Sequence, residues 1–449
     1  MDETVTLLDL GALERRFVER TATVGVIGLG YVGLPLARAM GEAGLTVVGV
    51  DVDGSKVQAL KEGRCYVRHL PPETLSRLVA EGRFRPTTDF SMLAQCDAVL
   101  ICVPTPLTRQ REPDLTFVTE TARAIRPHIN PGQLIVLEST TYPGTTRDEV
   151  KPILEEGGLH CGRDFFLAYS PEREDPGNPD HETRSIPKVI GGDGPAALRL
   201  AKALYDQFVA RTVPVSSPDT AEAVKITENI FRAVNIALVN ELKVIYGAMG
   251  IDIWEVIDAA KTKPFGFMPF YPGPGLGGHC IPIDPFYLAW KAREFEIPAR
   301  FIELAGEINT AMPRHVVTRL AEALNARSGK GLKDARILLV GLAYKRNVED
   351  VRESASFKLI ELLEDRGALV SYHDPLVPAI PVTRKHAQLA GRRSAPLSPE
   401  AVARYDAVLI ATDHDGVDYA MIQANAPLVV DTRNVCARAG ALGPNVVKA

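Results

Sequence analysis

A cysteine at the end of a glycine-rich loop is the strongest sign of chemistry in this chain. The loop reads Pro274-Gly275-Leu276-Gly277-Gly278-His279-Cys280. Glycines let a backbone approach a substrate closely, so we expect Gly277 to line a substrate site. A thiolate is a strong nucleophile that His279 or a nearby lysine would favour, and Cys280 is therefore the candidate nucleophile. A thiol placed in this way can trap an aldehyde as a thiohemiacetal.

A dinucleotide-binding fingerprint near the start of the chain supplies a route for hydride transfer. Gly28-Leu29-Gly30-Tyr31-Val32-Gly33 follows a predicted strand over 23–27 and opens a predicted helix over 34–43. The glycines permit a tight turn, approach of the backbone to a pyrophosphate, and close packing of the helix on the strand. Free N–H groups at the helix N-terminus favour phosphates. Together with Cys280, the fingerprint indicates oxidation of an alcohol all the way to an acid.

An acidic residue beyond the fingerprint completes the predicted cofactor site. Asp51 ends the second predicted strand, 23 positions after Gly28, where a carboxylate accepts hydrogen bonds from the adenosine ribose. That charge would repel a 2′-phosphate, so we expect NAD rather than NADP, with Lys56 lining the adenosine side and tempering the preference. The predicted cofactor contacts in this region are Gly28, Gly30, Tyr31, Val32, Gly33, Asp51 and Lys56.

Polar side chains on one helix face and after two strands are the other candidates for catalysis. Glu222, Lys225 and Asn229 share one face of a predicted helix. A lysine and an asparagine there could hold a reacting oxygen and stabilise its charge. Glu172 and Thr140 each follow a predicted strand, and ligands of open α/β sheets bind beyond strand ends. A capping or loop role fits Glu172 and Thr140 equally.

A second glycine turn, at Gly341, lacks the later glycines of the fingerprint. A full dinucleotide would therefore fit poorly there. Lys345, Arg346 and Arg352 follow this turn and offer cationic contacts to a phosphorylated ligand. The alternative is that these three residues are solvated surface charges.

Strands alternate with helices in two blocks, which predicts an α/β protein with two Rossmann-like, doubly wound sheet domains joined by a central long-helix domain. Besides the strand over 23–27, the predicted strands lie at 46–50, 98–103, 133–137, 165–168, 335–341, 369–372, 407–411 and 428–430. The predicted domains are an N-terminal helical extension (1–20), an NAD-binding domain (21–215), a central helical domain with the cysteine (216–327) and a C-terminal Rossmann-like domain (328–449) for a phosphorylated ligand.

The central block is dominated by two long helical patterns. The first runs from 217 to about 249, and the second covers 299–325 with an expected interruption near Pro313. Globular helices usually span about 8–20 residues, and longer ones often bridge domains or form subunit interfaces. We therefore expect a homodimer, or a higher homo-oligomer, built through the first long helix.

Composition sets limits on the partners and the compartment. The 449 residues carry a net charge of −5, which gives no reason to expect nucleic acid or an anionic membrane as a partner. The six cysteines show no CxxC pair or metal-ligand spacing, so no metal site is expected, and Cys102 lies in an apolar run that predicts burial. No apolar run approaches the ~18 residues that a membrane-spanning helix needs, and no secretory signal is evident, so we expect a soluble cytoplasmic protein.

At this point the chain resembles the nucleotide-sugar dehydrogenase family, and the match runs through nearly its whole length. The motifs that carry the resemblance are 28–35 (GLGYVGLP), 103–106 (VPTP), 138–146 (ESTTYPGTT), 225–229 (KITEN), 277–285 (GGHCIPIDP) and 350–354 (DVRES). The resemblance implies an NAD-dependent, four-electron oxidation at C6 of a UDP-sugar. Cys280 would then carry a thiohemiacetal and, after the second oxidation, a thioester that water hydrolyses.

The resemblance also implies residue roles. Lys225 and Asn229 would stabilise the oxyanion, while Glu172, Thr140 and Asp284 would position or activate water. Contacts to the cofactor from Thr105 and Thr140 are implied as well. The implied substrate contacts are Glu172, Arg173, Lys225, Asn229, Tyr271, Gly277, Lys345 and Arg352.

The identity of the sugar and two rival functions stay open. Segment 169–178 resembles the branch that oxidises UDP-N-acetylglucosamine, with UDP-N-acetylmannosamine the near competitor. UDP-glucose enzymes usually carry a second Glu where this chain has Pro176, and tend to present an Arg that segment 267–273 lacks. A two-electron β-hydroxyacid dehydrogenase needs neither Cys280 nor a second sheet domain. A non-catalytic nucleotide-sugar sensor would not need the full set of candidate catalytic residues.

Overall fold

The computed structural model describes residues 9–67, 70–108, 112–173, 185–278, 281–383 and 385–449. Contacts divide the chain into two compact units. The first unit comprises Met1–Glu228 and Phe286–Ile297, and the second comprises Asn229–Pro285 and Pro298–Ala449. Within the described ranges, no helix has the length and apolar character needed to cross a bilayer.

The described chain alternates strands and helices almost throughout. The strands are β1 (Thr23–Ile27), β2 (Thr46–Val50), β3 (Phe84–Thr87), β4 (Ala98–Ile101), β5 (Leu134–Leu137), β6 (Phe166–Tyr169), β7 (Lys188–Gly192), β8 (Thr212–Val215), β9 (Arg336–Val340), β10 (Leu369–His373), β11 (Ala407–Ile410), β12 (Val429–Asp431) and β13 (Val446–Lys448). The α-helices are α1 (Leu10–Val18), α2 (Gly33–Glu42), α3 (Gly54–Lys61), α4 (Pro72–Ala80), α5 (Thr116–Ile125), α6 (Lys151–Glu155), α7 (Pro195–Tyr205), α8 (Pro218–Ala248), α9 (Ile253–Ala260), α10 (Asp284–Ala292), α11 (Arg300–Ser328), α12 (Ala355–Glu364), α13 (Pro399–Val402), α14 (Tyr419–Asn425) and α15 (Val435–Arg438). Shorter 3₁₀ turns cover Phe90–Gln95, Arg126–His128, Arg293–Phe295 and Ala387–Leu389, and Thr145–Val150 is a π-helix.

The first unit is built on an eight-stranded sheet with the order β3-β2-β1-β4-β5-β6-β7-β8. All neighbouring strands are parallel except β6 and β7, which are antiparallel. Side chains alternate between two buried cores, so that Leu134 and Val136 of β5 enter one and Ile135 and Leu137 the other. Burial on both faces is the mark of a doubly wound sheet, and the predicted fold class is confirmed.

Three strands of this sheet, β3, β7 and β8, escape the sequence analysis, and two of them do so for a common reason. β3 and β8 are the outermost strands, and each contains a proline, Pro86 and Pro214. Proline cannot donate a ladder hydrogen bond, so it is confined to edges and obscures the strand pattern. In the interior, Cys102 is buried as predicted.

The second unit holds a separate, fully parallel sheet with the order β10-β9-β11-β12-β13. Its β9 and β11 are buried on both faces, again between two apolar cores. The predicted second Rossmann-like sheet is therefore present.

The two long helices form as predicted, with one correction. Helix α8 covers 31 residues, and α11 runs over 29 residues straight through Pro313, where an interruption was expected. Proline removes a single helical hydrogen bond. Here Pro313 and its neighbours Met312, Val316 and Val317 are buried, and this packing outweighs the local loss.

Candidate active site

The three glycines of the turn after β1 differ in what an added Cβ atom would meet. Gly28 has a φ of +88°, and a Cβ there would lie 2.7 Å from the carbonyl oxygen of Cys102. At Gly33 a Cβ would lie 2.1 Å from the Gly28 carbonyl oxygen, so only glycine lets α2 begin there. At Gly30 a Cβ would meet no protein atom within 4 Å. The protein's own packing therefore does not demand glycine at position 30, whereas a dinucleotide lying against the backbone does.

The side chain of Asp51, which follows β2, holds this glycine turn in place through hydrogen bonds. Its buried carboxylate accepts hydrogen bonds from the backbone N–H groups of Leu29 and Asp53, both at 2.9 Å. Lys56 Nζ lies 3.3 Å from the same carboxylate, and the Tyr66 hydroxyl donates to the Leu29 carbonyl at 2.5 Å. Asp51 and Lys56 thus stand together at the turn, as the sequence predicts, and the residues present fit an adenosine dinucleotide.

Thr105 and Thr140 are joined at the neighbouring strand ends. The Thr105 hydroxyl donates to the Thr140 carbonyl at 2.6 Å, which connects the segments that follow β4 and β5. The Tyr287 hydroxyl donates to the Thr105 carbonyl at 2.5 Å and holds this loop from a later part of the chain. Thr105 lies beyond the carboxyl end of β4, the neighbour of β1, and Thr140 beyond that of β5, one strand further along. Ligands of a doubly wound sheet bind at this edge.

Glu222 has a different role from the one its helix face suggests. Its buried carboxylate accepts from the N–H of Gly144 at 2.6 Å, the N–H of Thr146 at 2.9 Å and the Thr146 hydroxyl at 2.6 Å. Burial raises the pKa of Glu222 to about 7, against the lowering effect of these hydrogen bonds. Glu222 therefore fixes the start of the π-helix that follows Thr140.

Glu172 is the last member of a series of hydrogen-bonded, mostly buried polar side chains that the sequence analysis missed. Its Oε2 accepts from Lys188 Nζ at 3.0 Å, and Lys188 Nζ also donates to Glu138 Oε2 at 2.8 Å. The Tyr205 hydroxyl donates to the other oxygen of Glu138. Glu138 was noticed only as part of a motif, and Lys188 and Tyr205 carry no local signal because they meet it from distant strands and helices.

The guanidinium of Arg173 is already engaged. Its Nη2 donates to Glu228 Oε1 at 2.6 Å, and its Nη1 donates to the Pro187 carbonyl at 2.7 Å. These contacts tie the segment after β6 to α8, and a substrate contact from Arg173 stays a prediction.

In the second unit, Asn229 and Asp284 form a buried pair. Asn229 Nδ2 donates to Asp284 Oδ2 at 2.6 Å, and both residues are almost fully buried. Lys225, also buried, lies one turn before Asn229 on α8. Cys280 and His279 lie outside the described residues, and Asp284 opens α10 four residues after the cysteine.

The glycine loop before Cys280 packs against the segment that follows β9. A Cβ at Gly277 would lie 2.8 Å from Tyr344 Cβ, and one at Gly278 would lie 2.9 Å from Tyr344 Cε2. The N–H of Gly278 donates to the Arg352 carbonyl at 3.2 Å, and its φ is +88°. The loop therefore needs glycines in order to lie on the Tyr344 ring. It lies against the backbone of Arg352, and binding of substrate by Gly277 remains a prediction.

The other predicted substrate residues of this unit have protein partners of their own. The Arg352 guanidinium binds both carboxylate oxygens of Asp350, with its Nη2 2.6 Å from Oδ2. The Tyr271 hydroxyl donates to Asp258 Oδ1 at 2.7 Å. Lys345 is partly buried beside Tyr344. For Tyr271, Lys345 and Arg352, binding of substrate remains a prediction.

The turn at Gly341 explains why the second sheet does not repeat the dinucleotide site. Its φ of +87° matches that of Gly28, and Asp374 accepts from the N–H groups of Leu342 and Ala343 as Asp51 does from Leu29. No helix follows directly, however, because α12 begins only at Ala355. Without a helix N-terminus at the turn, the phosphate-binding half of the motif is missing.

A buried lysine in the second unit also went unnoticed in the sequence. Lys243 Nζ has no hydrogen-bond partner within the described part of the chain. Burial, with the charge of Arg433 adding to it, lowers the pKa of Lys243 to about 7. A Cβ at Gly273 would lie 2.6 Å from Arg433 Nη1, which places that guanidinium against the glycine loop. The sequence does contain a weak indication of this lysine. Lys243 follows Lys225 by 18 positions, or five helical turns, which puts both lysines on the same side of the predicted helix.

A glycine turn followed by an acidic residue on a doubly wound sheet is typical of a domain that binds an adenine dinucleotide such as NAD. Residues 22–209, 219–311 and 338–438 match, respectively, the NAD binding, central and UDP binding domains of the UDP-glucose/GDP-mannose dehydrogenase family. The chain belongs to this family of NAD-dependent UDP-sugar dehydrogenases. The resemblance inferred from the motifs is thus confirmed, as is the NAD cofactor.

Individual relatives cover most of the chain. The UDP-N-acetyl-D-glucosamine 6-dehydrogenase of Pseudomonas aeruginosa is 36% identical over 393 residues, covering 87% of this chain and 90% of the relative. The UDP-N-acetyl-D-mannosamine dehydrogenase of Methanococcus maripaludis is 34% identical over 424 residues, covering 91% and 92%. The solved UDP-D-ManNAc dehydrogenase of Pyrococcus horikoshii has a TM-score of 0.83 at 33% identity, covering 92% of this chain and 96% of that one. By name, these relatives divide between two acetamido sugars.

Proposed function

We propose that this protein oxidises the C6 hydroxymethyl group of a UDP-N-acetylhexosamine, with UDP-N-acetylglucosamine preferred, to the uronic acid. The observation that carries the proposal is the buried Asn229–Asp284 pair, which lies in the same unit as the glycine loop of Cys280. A two-electron dehydrogenase would need neither the cysteine nor the second sheet. The proposal therefore specifies a four-electron reaction.

The proposed chemistry balances with two hydride acceptors and one water per sugar. The alcohol first loses a hydride and a proton to become an aldehyde, and the Cys280 thiolate then adds to the aldehyde carbon. Loss of a second hydride, together with the hydroxyl proton, converts this thiohemiacetal to a thioester. Water displaces the thiol, which releases the acid and restores Cys280. NAD, when bound, supplies the hydride acceptor for each oxidation.

The described side chains suggest how oxygen charge would be handled. Because the Asn229 amide donates one N–H to Asp284, the amide is held in one orientation and its second N–H is free to point elsewhere. A fixed amide and the neighbouring Lys225 ammonium are suited to stabilise a tetrahedral oxyanion. In the first unit, Glu172 and Thr140 are the proposed water-handling residues, beyond the ends of β6 and β5.

The preference for an acetamido sugar is tested with four substrates in parallel. Purified protein is given NAD and UDP-N-acetylglucosamine, UDP-N-acetylmannosamine, UDP-glucose or UDP-N-acetylgalactosamine, and kcat/KM is measured for each. We expect UDP-N-acetylglucosamine to have the highest value. A higher value for another of the four would overturn the proposed branch but keep the reaction. No reduction of NAD with any of them would overturn the proposed function.

A homodimer through α8 is the proposed assembly. Phe231, Leu238 and Ile245 are spaced by seven residues on this helix, and each is about half exposed. An apolar stripe with this spacing is suited to pack against its copy in a second chain. Leu238→Glu should convert the dimer to a monomer in sedimentation experiments, while Val382→Glu, on an exposed loop of the second unit, should not. A monomeric wild-type protein would contradict the proposal.

The cytoplasm is the proposed compartment. Cys65, Cys96, Cys102, Cys161 and Cys436, which are the described cysteines, are all free thiols. The proposed reaction also needs Cys280 reduced in order to act as a nucleophile. Both features suit a reducing environment.

A further inference from the structure

The carboxylate of Glu172 is paired with the buried ammonium of Lys188, which lies in none of the sequence motifs. One of its oxygens faces Lys188 Nζ at 3.0 Å, and the other accepts from the Arg173 N–H at 2.7 Å. Building on the proposed role of Glu172 with water, we infer that Lys188 and Glu138 are positioning residues, which keep the Glu172 carboxylate ionised and in a single orientation.

The antiparallel strand pair is what brings these residues together. In the β6–β7 ladder, Tyr169 lies opposite Gly191 and Ala168 lies opposite Gly192. Continuing this register by three residues places Glu172 opposite Lys188. A parallel crossover would have carried the lysine to the other end of the sheet. Glu138 follows β5, the parallel neighbour of β6, and so reaches the same point from the other side.

The carboxylates of Glu138 and Glu172 differ in their exposure to solvent, which indicates different roles. The Lys188 side chain is 3% exposed and that of Glu138 is fully buried, whereas Glu172 keeps 12% of its side chain exposed. A buried ammonium needs hydrogen-bond partners, and Glu138 Oε2 accepts one of the Lys188 N–H groups. The second carboxylate, Glu172, is the member of the group that water or substrate can reach.

The surrounding charges favour a proton on Glu138 rather than on Glu172. Burial raises the pKa of Glu138 to about 7, with the charge of Glu172 adding to the effect and that of Lys188 opposing it. The Tyr205 hydroxyl donates to Glu138, and burial keeps the nearby Cys102 a neutral thiol by raising its pKa. Arg173, the cation next to Glu172 in the sequence, is paired with Glu228 on α8. Two carboxylates in unequal surroundings can thus hold different protonation states at neutral pH.

The first test compares the pH dependence of kcat in variants of the two positioning residues. Lys188→Met removes the positive charge beside Glu172, so the acid limb of the profile should move up by about one pH unit or more, and kcat at pH values below the wild-type midpoint should fall by about tenfold. Glu138→Gln replaces a side chain that is protonated on the acid limb with another uncharged polar side chain, so the limb should stay in place. Lys188→Arg should restore most of the activity. Lys151→Met, which breaks an ion pair with Asp193 elsewhere in the same unit, should leave the limb unchanged.

The second test reads the charge of Glu172 without relying on turnover. Protein labelled with ¹³C at glutamate carboxyls is titrated by NMR, and Glu172→Gln identifies the Glu172 signal. We expect the midpoint of that signal to rise in Lys188→Met and not to rise in Glu138→Gln. Unchanged midpoints in both variants, or a rise in both, would overturn the inference even if the wild type oxidises nucleotide sugars. Should Lys188→Met fail to fold, Lys188→Gln, which also removes the charge but keeps a polar side chain beside Glu172, takes its place with the same expected rise.

Discussion

Alanine substitutions at Gly30 and Gly33 should separate the contribution of these glycines to folding from their contribution to NAD binding. Alanine at Gly33 would place its methyl group 2.1 Å from the Gly28 carbonyl oxygen, 3.1 Å from Val26 Cγ1 and 3.2 Å from Cys102 Cβ. Because the backbone cannot move without opening the turn, we expect Gly33→Ala to lower the free energy of unfolding by about 1–3 kcal/mol, or the Tm by roughly 2–12 °C. Alanine at Gly30 would meet no protein atom within 4 Å, so the Tm without ligand should hardly change.

The same two variants should behave differently toward the cofactor. A methyl group at position 30 occupies the face along which the pyrophosphate would lie, so we expect the Kd for NAD to rise at least tenfold, about 1.4 kcal/mol. Calorimetric titration gives the Kd, and thermal scans with and without NAD give both stabilities. The reasoning is refuted if Gly30→Ala lowers the Tm of the ligand-free protein as much as Gly33→Ala does. Wild-type affinity for NAD in Gly30→Ala would also refute it.

Three further predictions concern buried charges. Glu222→Gln replaces a carboxylate that accepts from Gly144 and Thr146 with an amide that must face those donors, and should lower the free energy of unfolding in urea by about 2–4 kcal/mol. Asp374→Ala leaves the N–H groups of Leu342 and Ala343 unpaired and should lower the calorimetric transition of the second unit, while wild-type NAD binding is retained. For Lys243, whose pKa falls from 10.5 to about 7 on folding, the folded state binds fewer protons, so stability should rise with pH between those values. Lys243→Met should therefore stabilise the protein by a few kcal/mol at pH 6, and this gain should vanish near pH 10.5; an equal gain at both pH values would contradict the assignment.

Local sequence was enough to predict the cofactor turn. The glycines from Gly28 to Gly33 and the acid at Asp51 are tied to consecutive elements, so their spacing along the chain carries the geometry. The same holds for Asn229, which sits one helical turn after Lys225. The pairing of Asn229 with Asp284 required tertiary structure, since the two residues are 55 positions apart.

The group around Glu172 could not be predicted from local patterns. Glu138, Lys188 and Tyr205 converge from β5, β7 and α7, and only the antiparallel β6–β7 register brings the lysine to the carboxylate. Likewise, Pro313 predicts a helix break from local chemistry, while its burial in α11 depends on packing. In both cases long-range contacts decide what the sequence pattern leaves open.

The number of NADH molecules formed per sugar consumed tests the central claim most directly. Wild-type protein with limiting UDP-N-acetylglucosamine and excess NAD should form two NADH per sugar, and the product should be the uronic acid. Cys280→Ser should still bind NAD but lose net turnover. One NADH per sugar with release of an aldehyde, or full turnover by Cys280→Ser, would contradict a four-electron oxidation through the cysteine.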